Sequence, residues 1–200
     1  MLDRRLRAWK DRLLGPIALR IGQHVGPGAV TVAALLIGLG AALSLSRGAS
    51  GAALALWLMN RFLDGLDGSV ARETGRSTDF GGYLDIVCDF VVYASIPLAF
   101  AFARPDLALG VGVLLGTFYV NAASWMYLAA LLERRGRGAA YTGEVTQVTM
   151  PAGLIGGTET VVLFAVAIAV PAATRATLWL MAVMVAITTL QRLAWARRKL

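Results

Sequence analysis

Long apolar stretches separated by short polar segments run through most of the chain. Each stretch approaches the roughly 20 residues that an α-helix needs to cross a bilayer. The strict alternation over about 10 residues that marks a membrane-spanning β-strand does not recur. We therefore predict an all-α integral membrane protein with six transmembrane helices, at Val25–Ser46, Gly48–Leu63 (continuing through two aspartates), Phe80–Ala103, Leu107–Leu132, Pro151–Val170 and Ala172–Trp195.

The N-terminal segment has a different pattern, because basic residues separate its apolar positions. Its spacing predicts an amphipathic helix that lies on the inner leaflet. We expect no signal peptide, since the segment is too charged to hold an apolar core followed by a cleavage site. The predicted organisation is a juxtamembrane helix over 1–22 and one six-helix transmembrane domain over 23–200. The apolar positions of the first helix are Leu2, Leu6, Trp9, Leu13 and Ile17.

Composition supports a membrane protein and narrows the chemistry. Apolar residues make up 58% of the chain and charged residues 16%, against about 25% charged in typical soluble domains. This composition excludes a disordered chain. One Cys and one His exclude an internal disulfide and any metal site built from several thiolates or imidazoles.

The net charge of +7 is explained by membrane topology and needs no nucleic-acid partner. With the N-terminus in the cytoplasm, fifteen Lys and Arg residues fall on cytoplasmic segments. Only Arg47, Arg104 and Arg175 fall outside. The positive-inside rule then places both termini on the cytoplasmic side. We expect a multi-pass protein of a bacterial inner or plasma membrane, in contact with membrane lipid.

Four aspartates interrupt the second and third predicted spans: Asp64, Asp67, Asp85 and Asp89. A charged group at membrane depth costs about 2.5–3.5 kcal/mol, so such groups are functional by default. Helical spacing puts each pair on one stripe of its helix. Because the connection between the helices is short, we predict antiparallel neighbours whose acids meet in the cytoplasmic half of the membrane. The two stripes also carry Gly68, Ala71, Arg72, Thr78 and Gly81.

Carboxylate ligands favour hard cations, Mg²⁺ or Mn²⁺. Four carboxylates suffice for two such ions, which together can clamp a phosphoryl group during displacement. Arg72 can offer a bidentate fork to a phosphate. The pattern therefore indicates displacement at a phosphorus atom close to lipid.

The spacing of these residues resembles a known family. Residues 64–89 match D-x2-D-G-x2-A-R-x8-G-x3-D-x3-D at every fixed position. This is the signature of the CDP-alcohol phosphatidyltransferases, and the six-helix pattern extends the resemblance over most of the chain. The resemblance implies transfer of a phosphatidyl group from CDP-diacylglycerol to an alcohol, with release of CMP, in phospholipid biosynthesis. It also implies a homodimer.

The resemblance also implies roles for single residues. Asp64, Asp67, Asp85 and Asp89 would bind two divalent ions, and Asp89 would deprotonate the acceptor hydroxyl. Gly68, Arg72 and Thr78 would contact the CDP group. Near the first helix the family often has Pro-Asn/Asp-x-x-Thr, where this chain has Pro27-Gly28-Ala29-Val30-Thr31. Thr31 is therefore a further candidate for substrate binding, whereas Gly28 replaces the polar residue.

Alternatives remain open at this point. Basic residues on the cytoplasmic ends favour glycerol 3-phosphate as the acceptor, with inositol phosphate or phosphatidylglycerol as alternatives. A divalent-cation transporter would use the acids but would not need Arg72. A prenyl-transferring membrane enzyme is disfavoured by the single acidic block. Glu159, inside the fifth span, could line the active-site cavity or form a helix–helix hydrogen bond.

Overall fold

The structure, a computed structural model, describes residues 14–136 and 153–200, and within these ranges it contains no β-strand. A 3-10 turn, Pro105–Leu107, precedes the fourth helix. The predicted all-α fold is confirmed. The helices are α1 (Pro27–Ser46), α2 (Ser50–Glu73), α3 (Asp79–Ala103), α4 (Ala108–Arg134), α5 (Gly157–Ala169) and α6 (Thr174–Lys199).

Four helices are long and apolar enough to cross a membrane: α1, α3, α4 with its preceding turn, and α6. Helix α2 has 24 residues, but Arg61, Asp64 and Asp67 interrupt its apolar length. Helix α5 has 13 residues, which span about 20 Å at the usual rise per residue. Of the six predicted spans, four are therefore supported in the part of the chain that is described.

The chain divides into two compact units that meet in sequence between Pro105 and Asp106. In the first unit, α1 packs against both α2 and α3, whereas α2 and α3 make few close backbone contacts with each other. Buried small residues on α1, among them Ala34 and Ala41, allow this close packing. The two acid-bearing helices therefore meet mainly through long side chains, and both pack on α1.

Gly38 marks the closest approach within this unit. A Cβ at this position would lie 2.6 Å from Val92 Cγ2 and 2.9 Å from Asn60 Nδ2. At Gly40, one helical half-turn away, the nearest atom, Leu56 Cδ1, would be 3.7 Å away. The two distances at Gly38 are shorter than real Cβ contacts, whereas the distance at Gly40 is an ordinary van der Waals contact.

We predict that Gly38→Ala destabilises the protein by about 1–3 kcal/mol through overpacking. Gly40→Ala should be neutral or slightly stabilising, because alanine is the better helix former. Thermal unfolding in detergent, followed by tryptophan fluorescence, checks both variants. Equal midpoints for the two would contradict the packing described at Gly38.

Residues 14–22 contain the described part of the N-terminal helix. Leu14 and Ala18 are buried against Leu66 and Val70 of α2. Ile17, the described residue of the predicted apolar stripe, is 43% exposed and lies outside this packed cluster. The other stripe residues lie outside the described residues: Leu2, Leu6, Trp9 and Leu13.

The second unit is built around α6, against which both α4 and α5 pack. Leu114, Phe164 and Met181 are fully buried in it. The segment before α5 is tied to α6, because Ile155 N donates to Thr188 Oγ1 at 3.0 Å.

Candidate active site

A narrow cleft in the first unit contains two of the four predicted metal ligands, Asp64 and Asp89. Its walls come from α1, α2 and α3, the three helices that meet at the buried stripe of α1. The two carboxylate side chains are partly buried: Asp64 is 28% exposed and Asp89 is 32% exposed. The lining residues are Thr31, Ala34, Leu35, Asn60, Arg61, Asp64, Cys88, Asp89 and Val92.

Arg61 lies between these two carboxylates. Its Nη1 donates to Asp89 Oδ1 at 2.9 Å and is 3.8 Å from Asp64 Oδ2. The Arg61 side chain is only 9% exposed. Asp64 and Asp89, on different helices, are therefore close enough to share one cation.

Other side chains besides the two carboxylates also contact the guanidinium of Arg61. Its Nε donates to Asn60 Oδ1 at 2.7 Å, and Asn60 Nδ2 donates to the Ala34 carbonyl of α1 at 2.7 Å. The rings of Trp57 and Tyr93 each lie 4.9 Å from its central carbon, within cation–π range. These contacts link α1, α2 and α3 at the cleft.

Asp67 faces α1 and is almost fully buried, with 4% exposure. Thr31 Oγ1 donates to Asp67 Oδ2 at 2.7 Å. The Gly68 backbone N–H donates to the other carboxylate oxygen. Thr31 was predicted as a substrate contact, and the structure gives it a partner among the predicted metal ligands.

The other motif residues lie at the ends of α2 and α3. Arg72 is exposed, and its Nη2 donates to Ser69 Oγ at 3.3 Å. A Cβ at Gly68 would lie 3.2 Å from Arg72 Nη1, so glycine leaves room for the guanidinium. Thr78 is the N-cap of α3, and its hydroxyl accepts from Gly81 N at 3.0 Å. Such caps are ordinary at helix N-termini, so the capping role of Thr78 needs no substrate.

Asp85 lies one turn before Asp89 on α3 and is half-buried. Among the described residues, no three acidic, histidine or cysteine side chains are grouped closely enough to form a ready-made metal site. The structure thus pairs Asp64 with Asp89 through Arg61 and Asp67 with Thr31. The convergence of all four acids in one cavity stays a prediction.

The donor chemistry nevertheless fits a hard divalent cation. The four carboxylates supply oxygen ligands, which Mg²⁺ and Mn²⁺ prefer. The Arg61 guanidinium, seated between Asp64 and Asp89, is direct evidence that this pair accommodates positive charge.

Arg61 and Asn60 were not among the predicted site residues, and the structure places Arg61 between two of the acids. A signal was available, because an arginine three residues before an aspartate in an apolar helix needs a buried partner. Glu159 makes a local contact in the structure. Its Oε2 accepts from the Gly156 backbone N–H at 2.9 Å, at the start of α5.

The second unit holds another buried cation, Arg192, which is 7% exposed. Its Nη1 donates to Asn121 Oδ1 at 2.7 Å and contacts Ser124 Oγ at 3.2 Å. Its Nε is buried without a hydrogen-bond partner. No carboxylate in the described ranges forms an ion pair with it.

Apolar helices long enough to cross a bilayer, together with an acid motif at their polar ends, define an integral membrane enzyme that acts at phosphorus. The chain belongs to the CDP-alcohol phosphatidyltransferase family, whose sequence profile matches residues 25–190. It is therefore a transferase of phospholipid biosynthesis, as the motif at residues 64–89 predicted.

The chain is also similar to individual proteins. The chain is 36% identical to the inner membrane protein YnjF of Escherichia coli (strain K12) over 185 residues, covering 86% of this chain and 84% of YnjF. The phosphatidylinositol phosphate synthase (PgsA1) of Mycobacterium tuberculosis with CDP-DAG bound superimposes with a TM-score of 0.72. That match has 26% identity and covers 92% of this chain and 94% of PgsA1. The same enzyme in complex with manganese and citrate also gives a TM-score of 0.72 and 26% identity, and covers 92% of this chain and 88% of that structure.

Proposed function

We propose that this protein transfers a phosphatidyl group from CDP-diacylglycerol to an alcohol, releases CMP, and depends on Mg²⁺ or Mn²⁺. The observation that carries the proposal is the complete acid motif, with Asp64 and Asp89 facing one cleft about a shared cation. The structural similarity to an enzyme solved with CDP-DAG bound supports the donor. Manganese in a second structure of that enzyme supports the metal.

In the proposed reaction, Asp89 accepts the proton of the acceptor hydroxyl. The acceptor oxygen forms a bond to the phosphorus of the phosphatidyl group, and the bond from that phosphorus to the oxygen of CMP breaks. A carboxylate base within hydrogen-bond reach is sufficient for such a step. Asp89 is suited to it because its side chain is partly exposed to the cleft.

We propose that Asp64, Asp67, Asp85 and Asp89 hold two divalent cations. When bound, these ions would neutralise the phosphate charge and stabilise the departing CMP oxygen. Thr31 would orient Asp67 through their hydrogen bond, in addition to or instead of contacting substrate. Asp67 is almost fully buried, which suits a metal ligand whose position is fixed.

The proposed contacts to the CDP group are Gly68, Arg72 and Thr78. Arg72 is exposed at the polar end of α2, where its guanidinium can form bidentate hydrogen bonds to a phosphate. The Thr78 hydroxyl already accepts one hydrogen bond and retains its own proton to donate. Thr31 lines the cleft beside the acids.

Release of CMP from CDP-diacylglycerol tests the function directly. Purified protein in detergent with Mn²⁺ would be given glycerol 3-phosphate, inositol phosphate, phosphatidylglycerol or no acceptor. We expect acceptor-dependent CMP and a matching phospholipid product. Absence of CMP with every acceptor, from a protein shown to be folded, would refute the proposal.

Glycerol 3-phosphate is our preferred acceptor, ahead of inositol phosphate and phosphatidylglycerol. The preference rests on the basic residues at the cytoplasmic ends of the helices, which would match the negative charge of an anionic acceptor.

We propose a homodimer with one complete metal site in each protomer. Gly112 and Gly116 on α4 are exposed and have no side chain near them, which suits close helix packing with a second copy. Gly110 instead packs beside Trp179 within the second unit. The acids face a cleft inside the first unit, so they would not be part of the partner surface.

Co-expression of Asp64→Ala and Asp89→Ala chains tests this arrangement. Each chain lacks its own site, so mixed dimers should be no more active than either variant alone. The amount of mixed dimer is checked by purification through two different tags. Activity well above both single variants would show that the sites are shared between protomers.

The proposed location is a bacterial inner or plasma membrane, with both termini and the active site on the cytoplasmic side. The asymmetry of Lys and Arg supports this orientation. The proposed domain organisation remains a juxtamembrane helix over 1–22 and a catalytic transmembrane domain over 23–200.

A further inference from the structure

Arg61 is a buried cation to which the reaction above gives no role. Its side chain is 9% exposed, and it lies on α2 one turn before Asp64. Its Nη1 contacts Asp89 of α3 at 2.9 Å and Asp64 at 3.8 Å. A guanidinium this close to two proposed metal ligands necessarily affects how those ligands bind a metal.

The guanidinium is built into a rigid frame. Asn60 accepts from its Nε at 2.7 Å and is anchored to the Ala34 carbonyl of α1. Trp57 and Tyr93 lie over it at 4.9 Å each, and their rings contact edge to face with centroids 6.0 Å apart. A simple counter-ion for one acid would not need contacts from two helices and an anchor, through Asn60, to a third. The frame instead fixes where the positive charge lies.

We infer that Arg61 is a positioning residue of the transfer reaction, which orients the Asp89 carboxylate and competes with a divalent cation for the Asp64–Asp89 pair. The inference rests on the proposed function, since it takes these aspartates as metal ligands. The hydrogen bond from Arg61 to Asp89 Oδ1 fixes the orientation of the carboxylate. It therefore also fixes the direction in which Oδ2 points. The fixed positive charge offsets part of the repulsion between the two acids and repels an incoming cation.

Two consequences follow for Arg61→Met, which keeps an apolar chain between the two rings. Manganese should bind about tenfold more tightly, mainly because the Asp89 oxygen that accepts from Arg61 becomes free to bind the ion, with a smaller gain from removal of a like charge. The kcat should fall about 10–100-fold, because Asp89 is no longer held in its reacting orientation. The KM for CDP-diacylglycerol should stay within twofold of the wild-type value.

Manganese affinity is measured by electron paramagnetic resonance of the free ion, in the absence of substrates. Arg61→Lys retains the charge but loses the bond to Asn60, so it should bind manganese nearly as the wild type does and lose kcat. Arg47→Met removes an exposed charge from the same unit and should change neither quantity. Tryptophan fluorescence on heating shows which variants are folded, and Arg61→Gln replaces Arg61→Met if the latter is not.

A double variant tests whether Arg61 acts through Asp89. In an Asp89→Asn background, the tighter manganese binding caused by Arg61→Met should shrink to less than threefold. Unchanged or weaker manganese binding in folded Arg61→Met would overturn the inference. So would a full tenfold gain in the Asp89→Asn background, or an Arg61→Lys variant that binds as tightly as Arg61→Met.

The failure of this inference differs from the failure of the proposed function. A wild-type protein that binds no manganese and releases no CMP would reject the function. A wild-type protein that does both, with manganese affinity unchanged in Arg61→Met, would reject only the role of Arg61.

Discussion

Asp89→Asn is expected to lower kcat by at least about 10³-fold while the protein remains folded. The variant removes both the proposed base and a proposed metal ligand, and loss of a general base alone costs about 10²–10⁴-fold. Asparagine keeps an oxygen at the same place, so Arg61 can still donate to it as it does to Asp89 Oδ1. The fall should therefore report chemistry rather than loss of structure. CMP release at saturating substrates is the measurement.

The control is Asp79→Asn, which changes an aspartate on the same helix. Asp79 lies exposed in the first turn of α3, before the motif stripe. Its replacement should leave kcat within threefold of the wild-type value, since a charge near a helix N-terminus contributes only about 0.3–1 kcal/mol to stability. An Asp89→Asn enzyme with more than a tenth of wild-type activity would contradict the role proposed for Asp89.

Removal of divalent cations should abolish activity and leave the fold in place. Four carboxylates in one unit need positive charge to act together on a phosphate, and Arg61 supplies a single charge, which lies beside Asp64 and Asp89. Dialysis against EDTA should bring CMP release to background. An excess of either Mg²⁺ or Mn²⁺ should restore it, because both ions accept carboxylate oxygens.

EDTA already saturated with Mg²⁺ is the control, and it should have no effect on the rate. Thermal unfolding before and after dialysis establishes that the helices persist without the ion. Full activity after exhaustive dialysis, with no metal found by elemental analysis, would exclude the metal-dependent reaction.

The sequence by itself determined the fold class, the family and the residues of the motif. Apolar stretches of helical length require helices in a bilayer, since every backbone polar group must be satisfied internally. Aspartates inside such stretches are costly enough to need a function. The spacing within residues 64–89 then identified the family, and the profile match over residues 25–190 confirmed it.

Helix limits also followed closely from local pattern. The predicted stretch Phe80–Ala103 corresponds to α3, which begins at Asp79 and ends at Ala103. The count of spans was less well determined by hydropathy, because α2 mixes apolar and charged residues and α5 is short. Hydropathy averaged over a window of residues underestimates a membrane helix whose polar stripe faces other helices of the protein.

Only the tertiary structure decided how the acids are arranged. Sequence spacing put Asp64 and Asp67 on one stripe of α2. Packing on α1 nevertheless gives the two carboxylates different environments. Asp67 is buried against Thr31, whereas Asp64 faces the cleft with Asp89. Which face of α2 meets α1 depends on close contacts such as the one at Gly38, and these involve residues far apart in the chain.

The same reason explains why the sequence could not place Arg61 between Asp64 and Asp89. Its partners on other helices, Asp89 and Tyr93, are distant in sequence, and helical periodicity relates residues of one helix only. The chain therefore specifies which chemistry is present through the types and spacing of its residues. Where the positive charge lies among the acids is decided by the packing of α1, α2 and α3, because only that packing brings a guanidinium from one helix to a carboxylate on another.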